Sequence, residues 1–217
     1  MTDRAAEKAA LRRELLDRRR LLSEEDAREA AAVLAERAWE LPELTGADTV
    51  AAYVSIGREP GTRVLLDALH ARGVRVLLPV LLPDNDLDWA AYEGEEGLVR
   101  AGRGLLEPAG PRLGVDAVRE AGAVLLPGLA VDGQGMRLGR GGGSYDRVLA
   151  RLESAGPYPP SVRARVAAAG TEAPRARVAA ARLVVLLYEN EVVAEVPAEP
   201  HDHPVHAVVT PGGARRF

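Results

Sequence analysis

The chain has no cysteine at all. That absence excludes a disulfide framework, a thiolate metal site and a cysteine nucleophile. No apolar run approaches the roughly 20 residues that a helical bilayer crossing needs. The N-terminus alternates charge with alanine and leucine and lacks the apolar core of a signal peptide. Charge of neither sign dominates: 28 lysines and arginines against 32 acids leave a formal −4. Such a balance gives no general electrostatic case for nucleic acid or an anionic membrane as a partner. No internal repeat is visible, and the phosphate-binding pattern G-x-x-x-x-G-K-[ST] does not occur. What remains is a 217-residue chain that is 47% hydrophobic. It is expected to be one packed domain, soluble, cytoplasmic and monomeric.

The most informative stretch runs from Leu125 to Leu149, LLPGLAVDGQGMRLGRGGGSYDRVL. An apolar run ending at Pro127 and Gly128 reads as a buried strand and its exit. A glycine-rich loop follows, and Tyr145, Val148, Leu149 and Leu152 then recur at the spacing of a helix's apolar stripe. Strand, glycine loop and helix together bring bare amides and a helix N-terminus to an anion. Arg137 and Arg140 add forked cations suited to phosphate oxygens. Asp146, in the first helical turn, would be repelled by phosphate unless a divalent cation lay between them, and Mg2+ commonly binds through one or two carboxylates plus phosphates. The segment therefore reads as a site for a nucleotide with its metal. A dinucleotide fingerprint fails, because Ser144 stands where its third glycine is needed. A flexible surface loop capped by Ser144 is the plainer alternative.

Elsewhere the periodicity predicts helices from about Arg4 to Leu41, with a new start at Ser23 and Asp26. Arg13 and Arg18 to Arg20 are expected on a solvated face. A βαβ unit is predicted from a strand at Thr49–Ile56, a helix at Thr62–Ala71 and a strand at Val74–Val80. Glu59 then falls beyond the carboxyl end of a strand, where ligands of open α/β sheets bind. An edge strand is expected at Asp86–Tyr92, a loop at Gly97–Gly114 and a brief helix at Val115–Ala121. Further strands are expected at Ala123–Leu126, Arg182–Tyr188 and Ala207–Thr210. The alternation gives an α/β fold, a three-layer α/β/α sandwich with a mostly parallel sheet. His201, His203 and His206 are residue types that bind zinc, but no clear fourth ligand lies nearby and His-x-His is common in loops.

The central run resembles the 5-formyltetrahydrofolate cyclo-ligase family. Its hallmark, P-G-x-x-[F]-D-x-x-G-x-R-L-G-x-G-x-G-Y-Y-D, is met by Pro127-Gly128, Asp132, Gly135, Arg137-Leu138-Gly139, Gly141, Gly143 and Tyr145-Asp146. Val131 and Ser144 depart from it, each replacing an aromatic. Lys8 and Arg12, the Tyr53–Thr62 segment with Glu59, the Glu107-Pro108 pair, and the stretch from Val196 to Gly213 also resemble the family, with His206 in place of a second aspartate. About 153 to 181 reads as an insertion. The resemblance implies a sandwich like that of sugar-phosphate isomerases and CoA transferases. The implied reaction is ATP-dependent closure of 5-formyltetrahydrofolate to 5,10-methenyltetrahydrofolate, with ADP and phosphate released.

Several residue roles follow from that resemblance. Lys8, Arg12, Arg137, Leu138, Gly139, Arg140, Gly141, Gly142, Gly143, Ser144 and Tyr145 would bind ATP. Val54 and Glu59, with Arg140 to Ser144, would bind the reduced folate, Glu59 taking the pterin N–H groups. Arg137 and Arg140 would carry transition-state charge. Asp146 and Asp202 would hold Mg2+. Two other readings stay open: a non-catalytic binding protein of the same fold, and an isomerase or acyl-CoA transferase on a similar sandwich.

Overall fold

A computed structural model describes residues 3–154, 181–199 and 202–217. The chain begins with helix α1 (Arg4–Arg20), helix α2 (Glu24–Arg37) and a short helix α3 (Pro42–Thr45). Ser23 starts α2, its hydroxyl accepting the Asp26 amide at 3.0 Å, and three acids in the first turn suit the helix dipole. Strand β1 (Thr49–Ala51), helix α4 (Arg63–Ala71) and strand β2 (Arg75–Leu81) form the expected βαβ unit, with β1 and β2 parallel. Strand β3 (Leu87–Ala91) runs antiparallel to β2 at the sheet edge, with Trp89 fully buried.

Two corrections fall in this half. The first strand is shorter than Thr49–Ile56, because the chain leaves the sheet after the Ala52 amide bonds to Leu77 O. From there Thr62 organises it: its hydroxyl donates to Tyr53 O at 2.7 Å and accepts the Ser55 amide at 2.9 Å, while Ser55 Oγ accepts the Thr62 amide. The region 97–114 is more than a loop. It holds an antiparallel pair, β4 (Leu98–Arg100) with β5 (Leu106–Pro108), whose three-residue strands are too short to show a period of two.

Strand β6 (Ala123–Leu126) leads into a small ribbon, β7 (Ala130–Val131) with β8 (Arg137–Leu138), and then helix α5 (Ser144–Glu153). Strands β9 (Arg182–Leu186), β10 (Ala207–Thr210) and β11 (Gly213–Arg216) complete the order β11-β10-β9-β6-β1-β2-β3. The five inner strands are parallel and both edges antiparallel. β9 stops two residues short of the predicted Tyr188, and β11 was not expected.

Strict alternation along the strands builds two cores. Val50, Leu125 and Val184 pack with α2 and α4, whereas Ala51, Leu126 and Val185 pack with α5 and the 115–120 turn. The result is the expected three-layer sandwich. Helix α1 stands apart from both cores, laying Leu11, Leu15 and Leu16 over Leu129, Ala130 and Leu138. Among the described residues no helix is long and apolar enough to cross a membrane. Of the stretch read as an insertion, 155–180 lies outside the described residues, as does His201.

Candidate active site

The ends of β1, β2 and β6, the β4–β5 hairpin and the glycine loop enclose a cleft of about 460 Å³. The loop's geometry depends on its glycines. Gly141 and Gly143 sit at φ +85° and +79°, where side chains are strained. A Cβ on Gly139 would lie 2.8 Å from Arg137 Nη1, and one on Gly141 3.4 Å from Arg12 Cζ. The preceding turn is held by Asp132, buried, whose Oδ1 accepts the Gln134 and Met136 amides and whose Oδ2 accepts that of Val196. The aspartate of the central run is thus a turn organiser.

Arg137 lies in the cleft wall with its side chain 7% exposed. Its Nη1 donates to Pro127 O at 2.8 Å, its Nη2 is 4.0 Å from Asp146 Oδ1, and its Nε has no partner among the described residues. Burial lowers its pKa, opposed by the charge of Asp146. A buried guanidinium so thinly compensated favours an anion from the cleft. Arg140 is half exposed and pairs through Nε with Glu59 Oε1 at 3.2 Å. The other oxygen of Glu59 accepts the Ile56 amide at 2.9 Å. Burial raises the Tyr145 phenol, as it does the Tyr53 phenol, and the charge of Glu59 adds to both, so both remain donors at neutral pH.

The residues predicted for the site fall into two groups. Val54, Glu59, Arg137, Gly139, Arg140, Gly141, Gly142, Gly143, Ser144, Tyr145 and Asp146 line this cleft together. Lys8, Arg12, Leu138 and Asp202 do not line it. Leu138 packs beneath the loop with Leu15. Arg12 supports the loop from behind, Nε donating to Gly139 O at 2.9 Å. Lys8 is buried, its Nζ 2.6 Å from both Glu199 Oε2 and Asp202 Oδ2. Burial works to lower its pKa, but those two hydrogen bonds prevail and raise it. The lysine assigned to phosphate and the aspartate assigned to metal are therefore bonded to each other.

The loop at Gly97–Gly114 was expected beside the site, but its Arg103, Leu105, Leu106 and Glu107 were not named as site residues, and neither was Tyr53; all five line the cleft. Glu107 had a signal in its E-P pair; it is buried, and its Oε1 accepts the Leu81 amide at 3.0 Å, seating the hairpin on β2. Arg19, expected in solvent, is instead buried at 3% exposure and pairs with Glu191. His203 and His206 lie elsewhere. His203 Nδ1 is 2.7 Å from Glu153 Oε1. His206 Nδ1 accepts the Leu183 amide at 2.9 Å while its own amide donates to Leu183 O.

His206 must be neutral to accept that bond. Burial lowers its pKa, and the charge of Arg182 adds to this. The unfolded chain therefore binds the proton first as pH falls. The contribution is complete above the unfolded value of about 6.5 and is lost as pH drops from there through the lower folded pKa. His206→Asn should flatten the change in urea midpoint between pH 7 and 5 relative to the parent; parallel curves would exclude this role.

The sequence pattern of the 5-formyltetrahydrofolate cyclo-ligase family matches residues 4–172. The chain belongs to this family. It is 38% identical over 209 residues to the 5-formyltetrahydrofolate cyclo-ligase of Mycolicibacterium smegmatis, covering 94% of this chain and 93% of that one. It is 30% identical over 196 residues to the Escherichia coli K12 cyclo-ligase, covering 89% and 94%. Its fold superposes on that of Aquifex aeolicus 5,10-methenyltetrahydrofolate synthetase with a TM-score of 0.72 at 26% identity, covering 96% of this chain and 92% of that one. In these cyclo-ligase terms, the cleft is where the family's central run, its Glu59 segment and its E-P turn converge.

Proposed function

We propose that this chain is an ATP-dependent 5-formyltetrahydrofolate cyclo-ligase. One observation carries the reading beyond family membership: a single cleft joins a cationic glycine loop to an apolar arm bearing Glu59, linked by the Arg140–Glu59 contact. The formyl oxygen is a poor leaving group, so it first attacks the γ-phosphorus of ATP and ADP departs. N10 of the folate then bonds to the activated carbon and gives up its proton to water, and phosphate leaves with the former formyl oxygen. Catalysis of this kind rests on positioning and on neutralising charge at the transferring group.

The chain's residues divide that work. Amides of Gly139 to Gly143 and the N-terminus of α5 receive the phosphates, and Arg137 supplies buried charge beside them. Arg140 stabilises the transferring phosphoryl group, and Glu59 accepts hydrogen bonds from the pterin's N–H groups. Arg12 acts on the loop by fixing Gly139, and Lys8 is held by Glu199 and Asp202. Asp146 fits a divalent cation, since its exposed carboxylate stands at the cleft in the first turn of α5. Asp202 fits less directly, because its Oδ2 takes both Lys8 and the Glu199 amide, although its charge reaches Arg137. Mg2+ held at Asp146 would offset the phosphates' charge against this carboxylate. The same reading takes the protein as a cytoplasmic monomer.

The test mixes protein, Mg-ATP and 5-formyltetrahydrofolate and follows the near-ultraviolet absorbance of the methenyl product together with ADP. Equal amounts of both are expected. Binding of either ligand without product would instead favour the non-catalytic reading. A second variant assigns Glu59. Glu59→Gln should raise KM for the folate by about tenfold, the scale of one charge-assisted hydrogen bond, and that for ATP far less; equal losses for both substrates would remove the assigned contact.

A further inference from the structure

Only two non-glycine residues among those described adopt positive φ, Asn85 at 65° and Arg103 at 60°. They belong to different loops, the β2–β3 connection and the β4–β5 turn, yet Arg103 Nη1 donates to Asn85 Oδ1 at 2.9 Å. Asparagine tolerates the left-handed region, but an arginine held there is strained, and strained residues gather at ligand sites. Arg103 also lines the cleft, as do the apolar side chains of Leu81, Leu105 and Leu106.

Its charge is uncommitted, unlike that of the cleft's other arginines. Arg137 faces Asp146 and Arg140 faces Glu59. Arg103 has no carboxylate partner among the described residues. The acids on either side of Asn85 are taken, Asp84 by Arg147 and Asp86 by Arg151. The rim therefore presents an exposed, oriented guanidinium at the edge of an apolar arm, where a forked donor suits a carboxylate.

Resting on the cyclo-ligase reading, we infer that Arg103 receives the carboxylates of the folate's glutamate tail. With the pterin at Glu59, the aromatic linker lies along the apolar arm and the tail reaches the rim. Arg103 would then select for substrates bearing glutamate, with no part in phosphoryl transfer.

The test compares 5-formyltetrahydrofolate with 5-formyltetrahydropteroate, which lacks the glutamate, in the parent and in Arg103→Gly. Glycine accepts φ 60° freely, so the variant should fold, and its melting temperature checks this. The parent should show a KM about tenfold lower for the glutamate-bearing substrate, and the variant should lose that preference with kcat and the KM for ATP unchanged. Arg103→Lys should restore part of it. A preference that survives in Arg103→Gly, or a rise confined to the KM for ATP, would overturn the inference. If the parent turned over neither folate, the cyclo-ligase reading would fall. Calorimetric binding of the same two folates would still report whether Arg103 discriminates between them.

Discussion

Arg140→Ala should lower kcat by about a hundredfold or more, the loss seen when one preorganised transition-state donor is removed. The site's geometry makes this variant easy to interpret. Arg140 is half exposed, but the Glu59 side chain that anchors it is only 8% exposed, so the melting temperature and the KM for the folate are read beside turnover. A fall in kcat with both of these near the parent's would reflect lost chemistry. The KM for ATP should move little, since the loop amides remain, and Arg140→Lys should recover only part of the rate because an ammonium cannot fork. Arg137→Ala would be a poorer experiment: it strips Pro127 O of its donor inside the wall. Unchanged turnover in Arg140→Ala would take this residue out of the reaction and leave Arg137 as the cleft's phosphoryl-facing cation.

The sequence disclosed the site best where a residue type has one main physical use. Positive φ favours glycine, so Gly141 and Gly143 mark the loop without reference to the rest of the chain. Glu59 owed its place in the reading to the family resemblance more than to the strand before it, since β1 ends at Ala51 and the chain reaches Glu59 through the turn that Thr62 holds. Lys8 was not legible, because its partners Glu199 and Asp202 are about 190 residues away and no spacing rule connects them. Arg103 was obscured by a glycine-rich stretch that reads as loop, and only the fold brings it to Asn85. His206, a departure from the family pattern, proves to lie outside the cleft and to cap the start of β9, where an aspartate oxygen could accept the same amide. Arg19 did carry a signal that went unread. Positions 8, 12, 15 and 19 share one stripe of a helix, and Lys8, Leu15 and Arg19 on that stripe are buried while Arg12 supports the loop.

Arg19→Ala should destabilise the protein by about 3–5 kcal/mol, the cost of breaking a buried ion pair by removing one partner. Arg19 is 3% exposed and Glu191 2%, with Nε 2.6 Å from Oε1 and Nη2 2.9 Å from Oε2. The same Nη2 donates to Gly128 O at 2.7 Å, one residue past the Pro127 carbonyl that Arg137 holds. Two guanidiniums thus grip consecutive carbonyls at the exit of β6, beneath the cleft. Removing Arg19 leaves Glu191 charged, buried and bonded to the Tyr188 amide alone among these partners. Burial already pushes its carboxyl above the usual range, and without Arg19 the upward shift should grow. The folded variant then binds a proton that the unfolded chain does not, so its deficit should shrink as pH falls toward the unfolded value of about 4.3. Urea midpoints of the parent and variant at pH 8 and pH 5.5 read this directly. Arg19→Met with Glu191→Leu should recover much of the loss, since a matched apolar pair replaces two desolvated charges. A single variant as stable as its parent, or a deficit that does not change with pH, would mean that Glu191 finds water or another donor and that α1 is held by its leucines alone.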